Sequence, residues 1–454
     1  MRDDEGRELY RKLVNPRMGD AVRAMGFGKG FVRGEGPYLY AADGTRYVDF
    51  IAGYGACFLG RNHPAITSAL HEAIDSELPT LVQMDECALA GRLAAALLAI
   101  APRSVEMAYF ASSGAEAVET AIKLARRHTQ RRRILYLDNA FHGMTCGALA
   151  LNGTAAFRDG FGPLLPGTKA IPINDVPALE AELALGDVAA VFVEPIQGQG
   201  IVPVDATYAR ALQRLAAQHS VLVVADEVMT GLGRTGRWFA CEHIGLQPDI
   251  LLVSKTLSGG FVPCSAVLMR RAIYESVYSS TDRAGIHFST FSQNKLAMAA
   301  GLATLRVLTA EDAPARAARL GRQLAERISA LRTKHDTLGP LRGTGLMLGV
   351  ELSPPKSLLG KLDWFAAHQA NKSLFALKIS MDLIGEHFLT LPSGRDTDVV
   401  GLLPPIVIDD SHIDAFATAL DRVLERTHDF PGVFVGALAQ LAKHSLTNQR
   451  GDAQ

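Results

Sequence analysis

Several absences narrow the reading of this sequence before any motif does. Its 454 residues carry 46 lysines and arginines against 47 aspartates and glutamates, a formal net charge of −1. So even a balance offers no electrostatic footing for nucleic acid or an anionic membrane. The five cysteines, Cys57, Cys87, Cys146, Cys241 and Cys264, are far apart and include no Cys-x-x-Cys pair. That argues against a disulfide framework or a zinc spacing and favours a reducing compartment. No His-x-x-x-His pair occurs among the 13 histidines, so no helical metal site is expected. There is no Walker loop, no Gly-x-Ser-x-Gly elbow and no apolar run long enough to span a bilayer. The first seven residues are charged and lack the apolar core of a signal peptide. The expectation is a cytoplasmic protein with no nucleic-acid partner, no membrane insertion and no metal.

What is present is globular: 48% hydrophobic and 20% charged residues, enough for a large core and more than one domain. One basic cluster, Arg126, Arg127 and Arg131 to Arg133, is read as a solvated helix end complementing the helix dipole. Asp43-Gly44 between β-like stretches at 38–40 and 46–50 predicts a hairpin. From about residue 85, helical segments alternate with short apolar runs at 107–111, 134–137, 189–193, 221–225 and 250–253. That alternation predicts βαβ units and a mostly parallel sheet. A long helical pattern follows from 289 to about 333, then strand candidates at 346–351 and 406–408. The tail beyond Pro431 is helical in pattern and then polar. The fold class is therefore α/β: a large domain with a mostly parallel central sheet flanked by helices, and a smaller α+β C-terminal domain. The divisions are placed at 1–84 for an N-terminal hairpin segment packing on the small domain, 85–305 for the large domain and 306–454 for the small one.

Ligands of open parallel sheets bind beyond the carboxyl ends of the strands, so the residues following each run matter most. After 107–111 comes Ser112-Ser113-Gly114-Ala115-Glu116 and a helical pattern. Ser113 and Glu116 have capping-box spacing, and a small-residue turn opening a helix suits a phosphate. Taken alone, an ordinary capped helix with nothing bound is the favoured reading. After 221–225 comes Asp226-Glu227. After 250–253 comes Ser254-Lys255-Thr256-Leu257-Ser258-Gly259-Gly260. A lysine at the end of a core strand is costly to desolvate and can condense with a carbonyl once deprotonated; the competing reading is a side chain snorkelling to solvent. Together the three strand ends offer a lysine for an aldehyde, a site for a phosphate and a carboxylate for a pyridine nitrogen. Those are the requirements of pyridoxal 5′-phosphate (PLP).

At this point the sequence closely resembles the class III (ornithine/ω-amino acid) aminotransferases of the fold-type I PLP enzymes, over residues 50–409. The likeness rests on Gly60-Arg61-Asn62-His63-Pro64, Ser112-Ser113-Gly114-Ala115-Glu116-Ala117, Phe141-His142-Gly143 and Val193-Glu194-Pro195-Ile196-Gln197-Gly198. It continues through Asp226-Glu227-Val228, Gly233-Arg234-Thr235-Gly236, the Lys255 motif and Ser289-Thr290-Phe291. The resemblance implies a ping-pong aminotransferase in which Lys255 holds PLP as a Schiff base and shuttles a proton. It implies that Asp226 pairs with the pyridine nitrogen, and that Val228 and Phe141 cover the two ring faces with His142 in support. Ser113, Gly114 and Ala115 match the phosphate turn, Glu194 a position at the cofactor's edge, and Tyr54 an aromatic lining the substrate pocket. Thr290 matches a residue reaching the neighbouring subunit's phosphate, which implies a homodimer. A PLP decarboxylase, lyase or aminomutase on the same scaffold is the alternative.

Three positions depart from the family pattern. Met229 stands where many members have a glutamine that contacts the cofactor's phenolic oxygen, and it cannot donate a hydrogen bond. Gly401 stands where members that bind α-amino acids have a carboxylate-binding arginine, three residues before Pro404-Pro405. Gln199 stands where some members have the glutamate that masks that arginine. The expectation is a donor or acceptor lacking a conventionally held α-carboxylate, of polyamine, lipid or polyketide origin, with Arg395 the nearest substitute for the arginine.

Overall fold

The computed structural model describes residues 4–81, 85–370, 372–394 and 397–426. Arg395 and the tail beyond Pro431 lie outside the described residues. The strands run β1 (Phe31–Glu35), β2 (Tyr38–Ala41), β3 (Arg46–Asp49), β4 (Met107–Ala111), β5 (Arg133–Leu137), β6 (Thr168–Ile171), β7 (Val188–Val193) and β8 (Leu222–Asp226). They continue with β9 (Ile250–Val253), β10 (Ser265–Met269), β11 (Leu338–Thr344), β12 (Met347–Leu352), β13 (Phe388–Leu389), β14 (Leu391–Pro392) and β15 (Val399–Leu402).

These form three sheets, ordered β1-β2-β3-β13, β4-β10-β9-β8-β7-β5-β6 and β11-β12-β15-β14. The hairpin at Asp43-Gly44 closes β2 on β3 through Ala41 N–H to the Thr45 carbonyl, with Gly44 at φ +89°. The central sheet is parallel except for β10, which runs antiparallel to both β4 and β9. Its middle strands are buried on both faces, which is why they read as continuous apolar runs. Alternate residues feed two separate cores: Val191, Val193, Val223, Leu251 and Val253 on one face, Ala190, Phe192, Val224, Ile250 and Leu252 on the other. The helix Gly114–Thr129 covers the second face with Ala117, Val118 and Ala121. The first face is covered in part by the helices Ala206–His219 and Lys295–Ala310.

Two expectations need correction. Residues 406–408 form no strand: Pro404 and Pro405 bring no N–H to a ladder, the strand β15 ends before them, and Ile406 N–H bonds the Phe58 carbonyl instead. The helical pattern from 289 to 333 is two helices, Lys295–Ala310 and Ala313–Leu331, broken at Asp312 (φ +44°) with a proline in the second helix's first turn. Strands β1, β6, β10, β11, β13, β14 and β15 were not anticipated. The basic cluster sits at a helix end, with Arg126 bonded to the Arg132 and Pro166 carbonyls, Arg131 to the His219 carbonyl, and Arg133 to Glu182 and Asp187. Among the described residues no helix is long and apolar enough to cross a membrane.

The loop after β11 is held by a tight approach. Gly345 has φ +58°, and a Cβ there would stand 2.4 Å from the Thr235 carbonyl carbon. Gly321, in the helix Ala313–Leu331, would place its own Cβ 2.1 Å from the Gly345 oxygen. Gly345→Ala therefore meets both strained backbone and a clash. It is expected to cost about 3 kcal/mol or more, read as a lower denaturant midpoint; an unchanged midpoint would contradict the packing argument.

Candidate active site

Because β9, β8, β7 and β5 are parallel and β4 points the same way, the segments that follow all five emerge on one edge of the sheet. Lys255 follows β9, Asp226 ends β8, Glu194 follows β7, Phe141 and His142 follow β5, and the Ser113 turn follows β4. Lys255 opens a short 3₁₀ turn, Lys255–Ser258, in the left-handed region at φ +42°. That is uncommon and strained for a non-glycine residue, and it redirects the side chain from the strand. Lys255 is half-buried, and burial lowers its amine's pKa; Asp226 and Glu194 oppose that shift and Arg234 adds to it.

Asp226 is buried and its two oxygens are engaged on opposite sides. Oδ2 lies 2.7 Å from His142 Nδ1, and Oδ1 accepts the Val228 N–H at 3.1 Å. Burial of the His142 ring opposes its charge, but the hydrogen bond and charge of Asp226, with Glu194 beyond, hold its pKa above the ordinary imidazole value. His142 packs edge-on against Phe192, and its Nε2 is buried without a hydrogen-bond partner among the described residues. Glu194 accepts the Phe141 N–H at 3.0 Å and the Gly198 N–H at 2.9 Å, while burial raises its carboxyl's pKa.

Ser113 caps the helix Gly114–Thr129, its hydroxyl accepting the Glu116 N–H at 3.1 Å. The return bond of the cap comes from Ser112 N–H to Glu116 rather than from Ser113. Gly114 lets Val228 come close, since a Cβ there would stand 3.1 Å from Val228 Cγ1. The helix start, Val228, Asp226 and His142 are thus linked by contact, with Glu194 beside them through Phe141.

The substrate-side residues are placed differently. Tyr54 is exposed, at φ +54°. Met229 joins the apolar cluster of Ile196, Ile201, Met347 and Leu403. Gly401 lies on β15, where a Cβ would meet Ser393 Cβ at 3.3 Å. Ser393 in turn bonds the Gly198 carbonyl and the Gly200 N–H through its hydroxyl. The Gln199 side-chain oxygen is buried without a hydrogen-bond partner among the described residues. Thr290 does not join this group; it is exposed and lines a separate cavity of about 640 Å³ with Leu78, Asp85, Cys87, Phe288 and Lys295. One residue was missed entirely: Asn152, fully buried, accepts the His142 N–H at 2.8 Å and donates to the Gly143 carbonyl. Nothing in its local sequence marks it.

This donor set fits PLP on structural grounds. A lysine whose amine is eased toward neutrality, a buried carboxylate with a lone pair to spare, and the capped start of a sixteen-residue helix with small residues at its mouth stand on the same edge of the central sheet.

A family profile described as aminotransferase class-III matches residues 26–424. The chain is 37% identical to an acetylornithine aminotransferase of Mycolicibacterium smegmatis, covering 87% of this chain and 93% of that one. It is 34% identical to the aminotransferase PigE of Serratia sp. (strain ATCC 39006), covering 93% of this chain but only 54% of PigE, so it spans about half of that relative. Among solved structures, the ornithine aminotransferase of Toxoplasma gondii ME49 superposes with a TM-score of 0.77 at 30% identity, over 88% of this chain and 91% of that one. A PLP-bound amine transaminase from an uncultivated Pseudomonas species gives 0.78 at 27% identity, over 87% and 94%.

Proposed function

Since this chain belongs to the class III aminotransferases, PLP-dependent transaminases of fold-type I, we propose that it passes an amino group from an amine donor to a carbonyl acceptor in a ping-pong cycle centred on Lys255. The observation that carries this is the gathering of Lys255, Asp226 and Glu194 beyond three neighbouring parallel strands. Bound PLP supplies an aldehyde that takes the amino group and a ring that draws electron density from the substrate Cα while its nitrogen stays protonated. Asp226, fixed by His142 and the Val228 amide, holds that proton on the nitrogen. Lys255, its amine eased toward the neutral form, would hold the cofactor through its aldehyde and, once freed, would serve as the base that moves the substrate's Cα proton. The N–H groups at Ser113, Gly114 and Ala115 hold the phosphate. Phe141 and Val228 cover the ring faces and exclude water, and Glu194 sets Phe141 through its N–H. Tyr54 lines the substrate side.

The working unit is proposed to be a cytoplasmic homodimer, divided at about residues 84 and 305 within each chain. The side chains of Ile286, Phe288 and Phe291, near Thr290 in sequence, are exposed, and a second copy covering them would bring Thr290 to its phosphate site.

The substrate is proposed to lack a conventionally held α-carboxylate, as in a polyamine or a lipid- or polyketide-derived amine or aldehyde. The support is Gly401 backed by Ser393, whose hydroxyl is committed to the 198–200 backbone, and Gln199 in place of an acid. Replacing a bidentate arginine by glycine removes a charge-assisted grip. A diamine or monoamine donor is therefore expected to exceed glutamate in kcat/KM by about a hundredfold, measured by pyridoxamine phosphate formation without carbon dioxide release. Efficient, saturable use of glutamate that survives Arg395→Ala would sink the substrate proposal; carbon dioxide release would favour a decarboxylase.

A further inference from the structure

Arg234 heads the fully buried side chains by size, and among the described residues no carboxylate pairs with it. Its Nη1 donates to the Leu346 carbonyl at 2.9 Å and the Pro404 carbonyl at 3.3 Å, and its Nη2 to the Gly55 carbonyl at 3.0 Å. Its Cζ lies 4.5 Å from the centre of the Phe58 ring, and its Nε is buried without an acceptor. The Gly55 carbonyl also accepts the Thr256 hydroxyl at 3.2 Å. One oxygen therefore joins Arg234, the loop that presents Tyr54, and the residue next to Lys255. The Arg234 backbone carbonyl accepts the Leu346 N–H, so Leu346 is gripped in both directions.

A buried guanidinium held by carbonyls and the Phe58 ring alone is expensive, because no carboxylate offsets its charge. A purely structural tie between three loops needs donors but no charge. We propose that Arg234 is a positioning residue that locks the Tyr54–Gly55 loop to the Lys255–Thr256 turn and places a fixed positive charge in the surroundings of the lysine. The inference rests on Lys255 carrying the cofactor, as proposed above. Burial brings Arg234 down to about 9, still above neutrality, so it stays a cation. The charged or titratable groups acting on Lys255 are Asp226, Glu194 and Arg234. Near Arg234 the titratable neighbour is the Cys57 thiol, and beyond it Arg61 and Asp49 pair with each other at 2.7 Å. Arg234 therefore opposes the two carboxylates at the lysine nitrogen.

The test is a pH titration of the near-visible absorbance of the PLP–lysine chromophore in wild type, Arg234→Met and Arg234→Lys, alongside donor kinetics and circular dichroism. A fixed cation disfavours the protonated chromophore, so Arg234→Met is expected to raise its midpoint by about one pH unit. Arg234→Lys keeps the charge but cannot reach the Gly55 and Pro404 carbonyls together. It should hold the midpoint near wild type while raising the donor KM about tenfold, with a smaller change in kcat. A role in folding alone would lower stability and cofactor occupancy without moving the midpoint. Folded, PLP-loaded Arg234→Met with a wild-type midpoint overturns the proposal. Should Arg234→Met fail to fold, Arg234→Lys decides: a raised KM at an unmoved midpoint supports it, and wild-type kinetics overturn it. A wild type with no chromophore that Lys255→Ala abolishes would overturn the Lys255 assignment, and this inference with it.

Discussion

Lys255→Ala is expected to lower turnover by roughly four orders of magnitude or more while leaving the protein at least as stable as the wild type. On the proposed role of Lys255, the activity loss follows from removing at one atom both the nucleophile for the aldehyde and the base for the Cα proton. The stability side follows from the surroundings. Burial disfavours the charged amine, and the carboxylates of Asp226 and Glu194 recover only part of that cost. Deleting a half-buried, incompletely compensated charge relieves that cost. The 3₁₀ turn is held from elsewhere, by the Leu257 N–H to the Ser254 carbonyl, the Gly259 N–H to the Thr256 carbonyl and the Thr256 hydroxyl to Gly55. Turnover with the best donor and a denaturant midpoint, measured on the same preparation, check both halves. Activity within tenfold of wild type would remove Lys255 from the chemistry, whatever the midpoint.

The chemistry-bearing strand ends were legible because the middle of the central sheet is buried on both faces. Runs such as 189–193 and 250–253 are unbroken apolar segments, so a charged residue at or just past the end of one, as Asp226 and Lys255 are, stands out against them. Legibility did not simply follow position in the sheet: the edge strand β4 was expected, whereas β10, inside the sheet and buried at all five positions, was not, and neither was the other edge. Strand β6 has only four residues, Thr168–Ile171, of which only Ile171 is buried. The wrong strand at 406–408 came from treating an apolar triplet as sufficient, when the preceding prolines and the Ile406 bond to Phe58 decide the backbone there. Arg234 escaped for a different reason. The acceptors of Arg234 lie 112, 170 and 179 residues away in sequence, and no local pattern can announce a contact made only by the finished fold. Arg234 was visible as a letter in a motif, but its burial and its lack of a counter-charge were not.

Asp226→Asn is expected to reduce turnover by about three orders of magnitude and to leave a pH signature that separates charge from shape. Asparagine is nearly isosteric and can still accept the Val228 N–H, so the backbone around residue 226 should hold. What disappears is the negative charge that, on the proposed assignment, would face the pyridine nitrogen and keep it protonated. The His142 ring reports the same loss. Its pKa is held up, against burial, by the hydrogen bond and charge of Asp226 and by Glu194. A group whose folded pKa is raised contributes stability that is fully present below its unfolded value, about 6.5 for imidazole, and that fades as pH rises through the folded value. The stability advantage of the wild type over Asp226→Asn should therefore be greatest on the acid side of that range and shrink as the pH rises through the raised His142 value. Denaturant midpoints of both proteins across that interval test the sign directly. A gap that widens with pH would mean that Asp226 is not what keeps His142 charged, and the carboxylate would then have to act on the cofactor ring alone.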